Sequence, residues 1–254
     1  MTLGGFFRSV TRIVGDIPRL PLRSIYRDYA DYTMIPEPSF IRNLALARQF
    51  RGVPGAVVEC GVWKGGMSAG IAEVVGRDRI FYLFDSFQGC PKAKEIDGIR
   101  AKQWQQDIDS PFYYNNSSAD IGFSQEAMRR AGAHHVHITK GWFEQTLSGF
   151  CAQGGIAILR LDADWYDSTM TCLVHLFPQV NEGGLIIIDD YFAFEGCALA
   201  VHDYLSRNRH AICIQQFEND FCYLVKPRQA RISEAPGLRT DSDSSAEAKR
   251  HSVE

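Results

Sequence analysis

Five short runs, AVVEC (56–60), IFYLF (80–84), HVHI (135–138), IAILRL (156–161) and LIIID (185–189), are apolar and rich in β-branched residues, and stretches long enough for crossover helices separate most of them. Strands that alternate with helices make βαβ units, so this rhythm predicts an α/β fold with a largely parallel sheet covered on both faces. Two later runs, AICIQQF (211–217) and FCYLVK (221–226), have only Glu218, Asn219 and Asp220 between them. That is hairpin spacing, and it predicts an antiparallel pair at the end of the sheet. Ahead of the first run, Phe40, Leu44, Ala47 and Phe50 step along one face of a helix that Gly52 and Pro54 end. A chain of 254 residues with 45% hydrophobic content can bury one large core.

The flanks read differently. Residues 1–31 mix Arg8, Arg12, Arg19, Arg23 and Arg27 with Phe6, Phe7, Val10, Val14 and Leu20. They suit a short amphipathic helix, expected as a flap or lid on the domain, with membrane-surface or subunit contact, and hence a homo-oligomer, as the alternatives. The domain itself is expected over 32–227. Residues 228–254, ending TDSDSSAEAKRHSVE, form a polar tail whose composition predicts disorder. The segment 86–123 is too long for an ordinary loop and is expected to lie over a site.

A formal net charge of −3 gives no general attraction to nucleic acid or an anionic bilayer, which points to a small-molecule partner held locally. The seven cysteines are odd in number, scattered and never spaced as CxxC, which fits a reduced, cytoplasmic protein without a structural zinc site. No window approaches the ~18 apolar residues of a membrane span, so no stable membrane insertion is expected.

In open α/β sheets ligands bind beyond the carboxyl ends of the strands. VVECGVWKGGMSAG follows the first run with glycines at 61, 65 and 66, which permit a tight strand-to-helix turn and close approach of a ligand to the backbone. Such a turn alone can merely pack a helix on a strand. Neither the Gly-Lys-Ser/Thr of an NTP loop nor the GxGxxG of a pyrophosphate turn is present, and Glu59 favours a ligand with a cationic end. Asp85 ends the second run, where a carboxylate can accept both hydroxyls of a ribose. Asp162, Asp164, Asp189 and Asp190 end the fourth and fifth runs, and carboxylates crowded this closely repel unless a cation compensates them. Oxygen-only ligands suit Mg²⁺, Mn²⁺ or Ca²⁺ rather than zinc. The competing reading is helix capping, and in YDST either Asp167 or Ser168 could cap.

Taken in order and spacing, VECGVWKGG, FDSFQGCP, LRLDADWYDST and GGLIIIDDY resemble the macrocin O-methyltransferase family, from about Tyr32 to Lys226. More distantly they are similar to metal-dependent catechol O-methyltransferases. The resemblance implies a single Rossmann-like class I methyltransferase domain, with a seven-stranded sheet ending in an antiparallel hairpin. It implies S-adenosyl-L-methionine as cofactor and Mg²⁺ or Mn²⁺ as metal.

Carried over, Glu59, Gly61, Trp63, Gly65 and Ser68 line the methionine part of the cofactor. Asp85 takes the ribose, with Ser86 and Phe87 beside it. Gly141, Trp142 and Phe143 sit near the adenine, and Thr33, Met34 and Ile35 close over the cofactor. Asp162, Asp189 and Asp190 match the metal ligands. Asp162 is the expected general base, doubling as ligand, and Asp164 is second for either role.

The implied reaction is methylation of a sugar hydroxyl in antibiotic biosynthesis, with a glycoside or sugar carrying vicinal hydroxyls as acceptor. A phenol or catechol acceptor is the main alternative. A metal-dependent glycosyltransferase, an aspartyl-phosphate phosphatase and a non-catalytic cofactor-binding protein are the readings from other classes. His134, His135, His137, His175 and His202 are further acid/base candidates of no special spacing. The first thirty residues and 100–121 match no family segment, and these parts are expected to choose the acceptor.

Overall fold

All seven expected runs contribute a strand to one sheet, whose central strands are lined with buried β-branched residues. A computed structural model describes residues 19–218 and 220–227. The strands are β1 Ala56–Cys60, β2 Ile80–Asp85, β3 His135–Lys140, β4 Ile156–Leu161, β5 Val180–Ile188, β6 Gln215–Phe217 and β7 Phe221–Val225, in the order β3-β2-β1-β4-β5-β7-β6. The first five pair in parallel, and β7 pairs antiparallel to both β5 and β6. Strand order reverses between β1 and β4, which opens a crevice at the strand ends there.

Among the described residues, the right-handed α-helices are α1 Arg19–Tyr29 and α2 Glu37–Gln49 ahead of β1, and α3 Gly66–Val75, α4 Gly98–Gln106, α5 Ile121–Ala131, α6 Phe143–Thr146, α7 Tyr166–Leu176 and α8 Glu195–Arg207 between the strands. Alternation along the strands splits the interior into two cores. Val57, Ile158, Leu185 and Ile187 pack with α1, α2, α3 and α5, whereas Val58, Leu159, Leu161, Ile186 and Ile188 pack with α7 and α8. Register then aligns the site: Cys60 lies opposite both Phe84 and Leu161, and Leu161 opposite Ile188. Gly61, Asp85, Asp162 and Asp189, each one residue further on, therefore emerge along one edge.

Several boundaries differ from the sequence reading. β5 starts at Val180, so the polar stretch Asn181–Gly184 also belongs to it, and only the last three residues of 211–217 enter β6. From the expected flap, α1 packs on α2 and α3 and buries Leu22 and Tyr29 in the core. Residues 1–18 of the flap and the polar tail, 228–254, lie outside the described residues. Among the described residues no helix is long and apolar enough to cross a membrane.

The segment 86–123 is no plain loop. It contains a 3-10 turn at Glu95–Asp97, the helix α4 and, at 114–117, four consecutive residues with φ between 48° and 59°. Left-handed backbone in non-glycine residues is disfavoured, so neighbours must hold this turn. Asn116 does much of that, accepting the Cys90 N–H at its carbonyl (3.0 Å) and donating from Nδ2 to the Cys90 carbonyl (2.8 Å). Trp63 adds an indole donor to the Ser118 carbonyl (3.1 Å).

Candidate active site

The turn after β1 is organised by Asp85. Its Oδ2 accepts the N–H groups of Val62 and Trp63, both at 2.7 Å, and Oδ1 accepts that of Phe87 at 2.6 Å. Trp63 and Phe87 hold φ of 48° and 55°, and these bonds fix both. Burial pushes the Asp85 carboxyl above the usual carboxylate range, against the pull of the three N–H groups. A carboxylate has about four lone-pair sites, so Asp85 retains capacity toward a ligand in the cavity it lines. Gly61 answers to a tighter constraint: with φ +85°, a Cβ there would stand 1.7 Å from the Asp162 carbonyl oxygen. Its lack of a side chain lets the ends of β1 and β4 meet.

Beneath this turn lies a charge network that the sequence reading passed over. Arg160, in the middle of the apolar run of β4, is fully buried, and its Nη1 donates to Glu59 Oε1 (2.7 Å) and Asp162 Oδ2 (2.9 Å). Nη2 lies 2.8 Å from Asp189 Oδ2, an ion contact without hydrogen-bond alignment. Nε reaches Asn43 Oδ1 of α2 at 3.4 Å. The other Glu59 oxygen accepts the Ser68 hydroxyl. Burial raises the Glu59 carboxyl to about 7, with Arg160 and Ser68 opposing. The available signal was a charge inside an apolar strand, two residues from Asp162 and therefore on the same face.

Asp162, Asp164 and Asp190 converge beyond β4 and β5, with one carboxylate oxygen from each within 4.8 Å of the others. Asp164 has φ +53° in a tight turn closed by the Trp165 N–H on the Ala163 carbonyl (2.6 Å). Its own N–H donates to Asp190 Oδ2 (3.1 Å), and the Cys90 thiol donates to its Oδ2 (3.3 Å). Loss of water contact raises the Asp164 carboxyl to about 7, and Asp162 adds to the effect. Asp190 is pushed well up by desolvation and by Asp164, Asp162 and Asp189. Such a group, with oxygen donors only and mutual repulsion to be relieved, fits a hard divalent cation. Of the three ligands implied by resemblance, Asp162 and Asp190 fall within it. Asp189 faces Arg160 instead, with its carboxyl raised to about 6 by burial against the pull of that guanidinium. Asp164 occupies the third place.

These groups line one cavity of about 410 Å³. Of the residues expected at the cofactor, Thr33, Met34, Ile35, Glu59, Gly61, Trp63, Asp85, Ser86, Gly141, Trp142 and Phe143 line it. Gly65, which caps α3 against Ser124, and the buried Ser68 stand one layer back. None of the candidate histidines is in the lining. Cys90, Pro91, Trp104 and Phe112 of the 86–123 segment are. Trp104 and Phe194, both in the lining, stack edge to face with each other and with the buried Trp165 behind them, with centroids 4.9 to 6.4 Å apart. The segment is pinned to the start of α7, where Asp97 Oδ1 accepts the Tyr166 N–H (2.8 Å) and the Pro91 carbonyl accepts the Trp165 indole N–H (2.8 Å). Asp97 thus does what Asp167 or Ser168 was expected to do, and Asp167 pairs with Lys94 instead.

A parallel sheet with an antiparallel last strand, a glycine turn after β1, an acid closing β2 and a cavity across the switch point together define a class I methyltransferase fold. Comparison with solved structures agrees. The O-methyltransferase NovP superposes with a TM-score of 0.64 at 30% identity, covering 78% of this chain and 83% of that one. The calicheamicin methyltransferase CalS11 shares the fold at a TM-score of 0.56 and 18% identity, over 85% of this chain and 96% of that one.

More narrowly, residues 28–225 match the family described as macrocin-O-methyltransferase (TylF), and the chain belongs to that family. Mycinamicin III 3''-O-methyltransferase of Micromonospora griseorubida is 35% identical over 66% of this chain and 66% of its own length. An 8-demethyl-8-(2,3-dimethoxy-alpha-L-rhamnosyl)-tetracenomycin-C 4'-O-methyltransferase of Streptomyces olivaceus is 36% identical over 61% and 60%. Demethyldecarbamoylnovobiocin O-methyltransferase of Streptomyces niveus is 34% identical over 69% and 68%. The chain thus spans about two thirds of the length of these relatives.

Proposed function

We propose that this protein is an S-adenosylmethionine-dependent O-methyltransferase that acts on a sugar hydroxyl of a glycosylated natural product, with Asp162, Asp164 and Asp190 holding a divalent cation. The observation that carries the reading is the convergence of those three carboxylates at one end of a cavity whose other end presents Asp85, Gly141, Trp142 and Phe143. When bound, the cofactor supplies an electrophilic methyl group and the cation acidifies and orients a hydroxyl.

The chain's own residues supply the rest. Asp85 takes the ribose on its remaining lone pairs, while Trp142 and Phe143 flank the base. Asp164 accepts the hydroxyl proton: it stands among the acidic groups that line the cavity without a bond to Arg160, whereas Asp162 is engaged by Arg160. The aromatic side chains of Trp104 and Phe194, backed by Trp165, make part of the cavity wall apolar, which favours a step in which positive charge is lost.

Charge also selects the acceptor. Eight carboxylates line the cavity, from Glu59, Asp85, Glu144, Asp162, Asp164, Asp189, Asp190 and Asp220, and Arg160 is the one basic side chain among the described lining residues. An anionic sugar nucleotide is disfavoured there, and a sugar already joined to an uncharged aglycone is favoured. One relative is named for methyl transfer to such a rhamnosyl compound.

The test is direct. Calorimetry is expected to show micromolar binding of S-adenosylmethionine, and mass spectrometry a single methyl gain on a macrolide or rhamnosyl glycoside but not on a catechol. Methylation of the catechol alone would overturn the acceptor assignment. Dialysis against EDTA is expected to abolish turnover and added Mg²⁺ to restore it; turnover that survives EDTA would remove the metal from the reading.

A further inference from the structure

We propose that Arg160 is a positioning residue that ties the cofactor end of the cavity to its acidic end, so that filling one end changes affinity at the other. The proposal rests on the methyltransferase reading above. Arg160 is fully buried in β4, and its single guanidinium touches carboxylates from three adjacent strand ends: Glu59 in β1, Asp162 after β4 and Asp189 after β5.

The geometry of sharing matters most. One nitrogen, Nη1, serves both Glu59 (2.7 Å) and Asp162 (2.9 Å), so charge drawn from either carboxylate strengthens the bond to the other. Glu59 is itself tethered to α3 through the Ser68 hydroxyl, on the side where the cofactor's methionine end is proposed to lie. Asp162 belongs to the acidic trio. A cation that engages Asp162 therefore leaves Arg160 more fully to Glu59.

Stability alone does not account for this arrangement. A buried ion network is often matched or bettered by apolar side chains of the same volume, so a buried arginine at this spot calls for another reason. Lysine could not replace it, because a point-like ammonium cannot span three carboxylates as a planar five-donor fork does. Asn43 completes the support from α2, holding Nε while its own amide donates to the Ser39 carbonyl (3.1 Å).

The experiment compares the full chain with Arg160→Lys and Asn43→Ala, titrating S-adenosylhomocysteine by calorimetry with and without saturating Mg²⁺. That ligand lacks the sulfonium charge, which keeps direct cation repulsion small. In the unaltered protein, Mg²⁺ is expected to change its Kd by at least about fivefold. In Arg160→Lys the change is expected to fall below about twofold, with turnover down by at least about tenfold, while thermal unfolding remains cooperative. Asn43→Ala, which keeps every charge, is expected to give an intermediate change, and it carries the test if Arg160→Lys does not fold. Unaltered protein that binds S-adenosylhomocysteine equally with and without Mg²⁺ would overturn the proposal, as would a folded variant that keeps the full Mg²⁺ effect. Unaltered protein that binds no S-adenosylhomocysteine at all would instead overturn the methyltransferase reading.

Discussion

Asp190→Ala is expected to lower turnover on the order of 10³-fold, about 4 kcal/mol in activation free energy, while S-adenosylhomocysteine measured without added metal binds within about threefold of the unaltered protein. Two losses combine. The substitution removes one of three converging oxygens, and it strips the acceptor from the Asp164 N–H, which helps hold that residue at φ +53°. Asp164 then keeps only the Cys90 thiol to hold its place. The cofactor end keeps its own residues, so its affinity is spared. Asp190→Asn separates the two effects, since an amide oxygen can still accept the Asp164 N–H but carries no charge. Calorimetry beside steady-state rates reads both arms, and an equal loss of cofactor affinity would show that the two ends are not distinct.

Asp85→Ala is expected to cost more in stability than any exposed substitution in the chain. Two buried N–H groups, of Val62 and Phe87, and the half-buried one of Trp63 lose their acceptor together. An orphaned buried donor costs about 1–3 kcal/mol, and a domain is stable by only about 5–15 kcal/mol, so the three threaten the whole margin. Thermal denaturation is expected to show a fall of many degrees or an insoluble product. Asp85→Asn, with one oxygen left, falls in between. Both variants are expected to lose cofactor affinity, because the turn that carries Gly61 and Trp63 is no longer fixed. A transition temperature unchanged in Asp85→Ala would refute the organising role.

Strand ends were legible because they are local. AVVEC and IAILRL became β1 and β4 with the same boundaries, and the carboxylates directly after the strands reached the cavity as that placement implied. What escaped depends on partners distant in the chain. Arg160 reads as a blemish in an apolar run until Glu59, 101 residues earlier, is seen beside it. The cap of α7 comes from Asp97, 69 residues before Tyr166, so a reading confined to YDST could not find it. In the sequence Asp164 stands second to Asp162 for the base and ligand roles. A left-handed turn rotates it onto Asp190 and Cys90, and nothing in the side-chain pattern announces a positive φ at an aspartate. The helices within 86–123 were hidden for another reason: the segment is polar and has little apolar periodicity, so its order comes from docking on the cavity rim.

The left-handed turn at 114–117 gives that rim an uneven grip on the domain. Each L-residue held in such a helical twist costs roughly 1–2 kcal/mol, and here four stand in a row. A few bonds restrain them, chiefly from Asn116 to Cys90 and from Gln105 to Asn116. Residues 91–97, by contrast, are riveted to α7 through Pro91 and Asp97. Of the two ends, 114–117 is the one whose release would relieve backbone strain, because residues 91–97 have ordinary backbone apart from their bonds to α7.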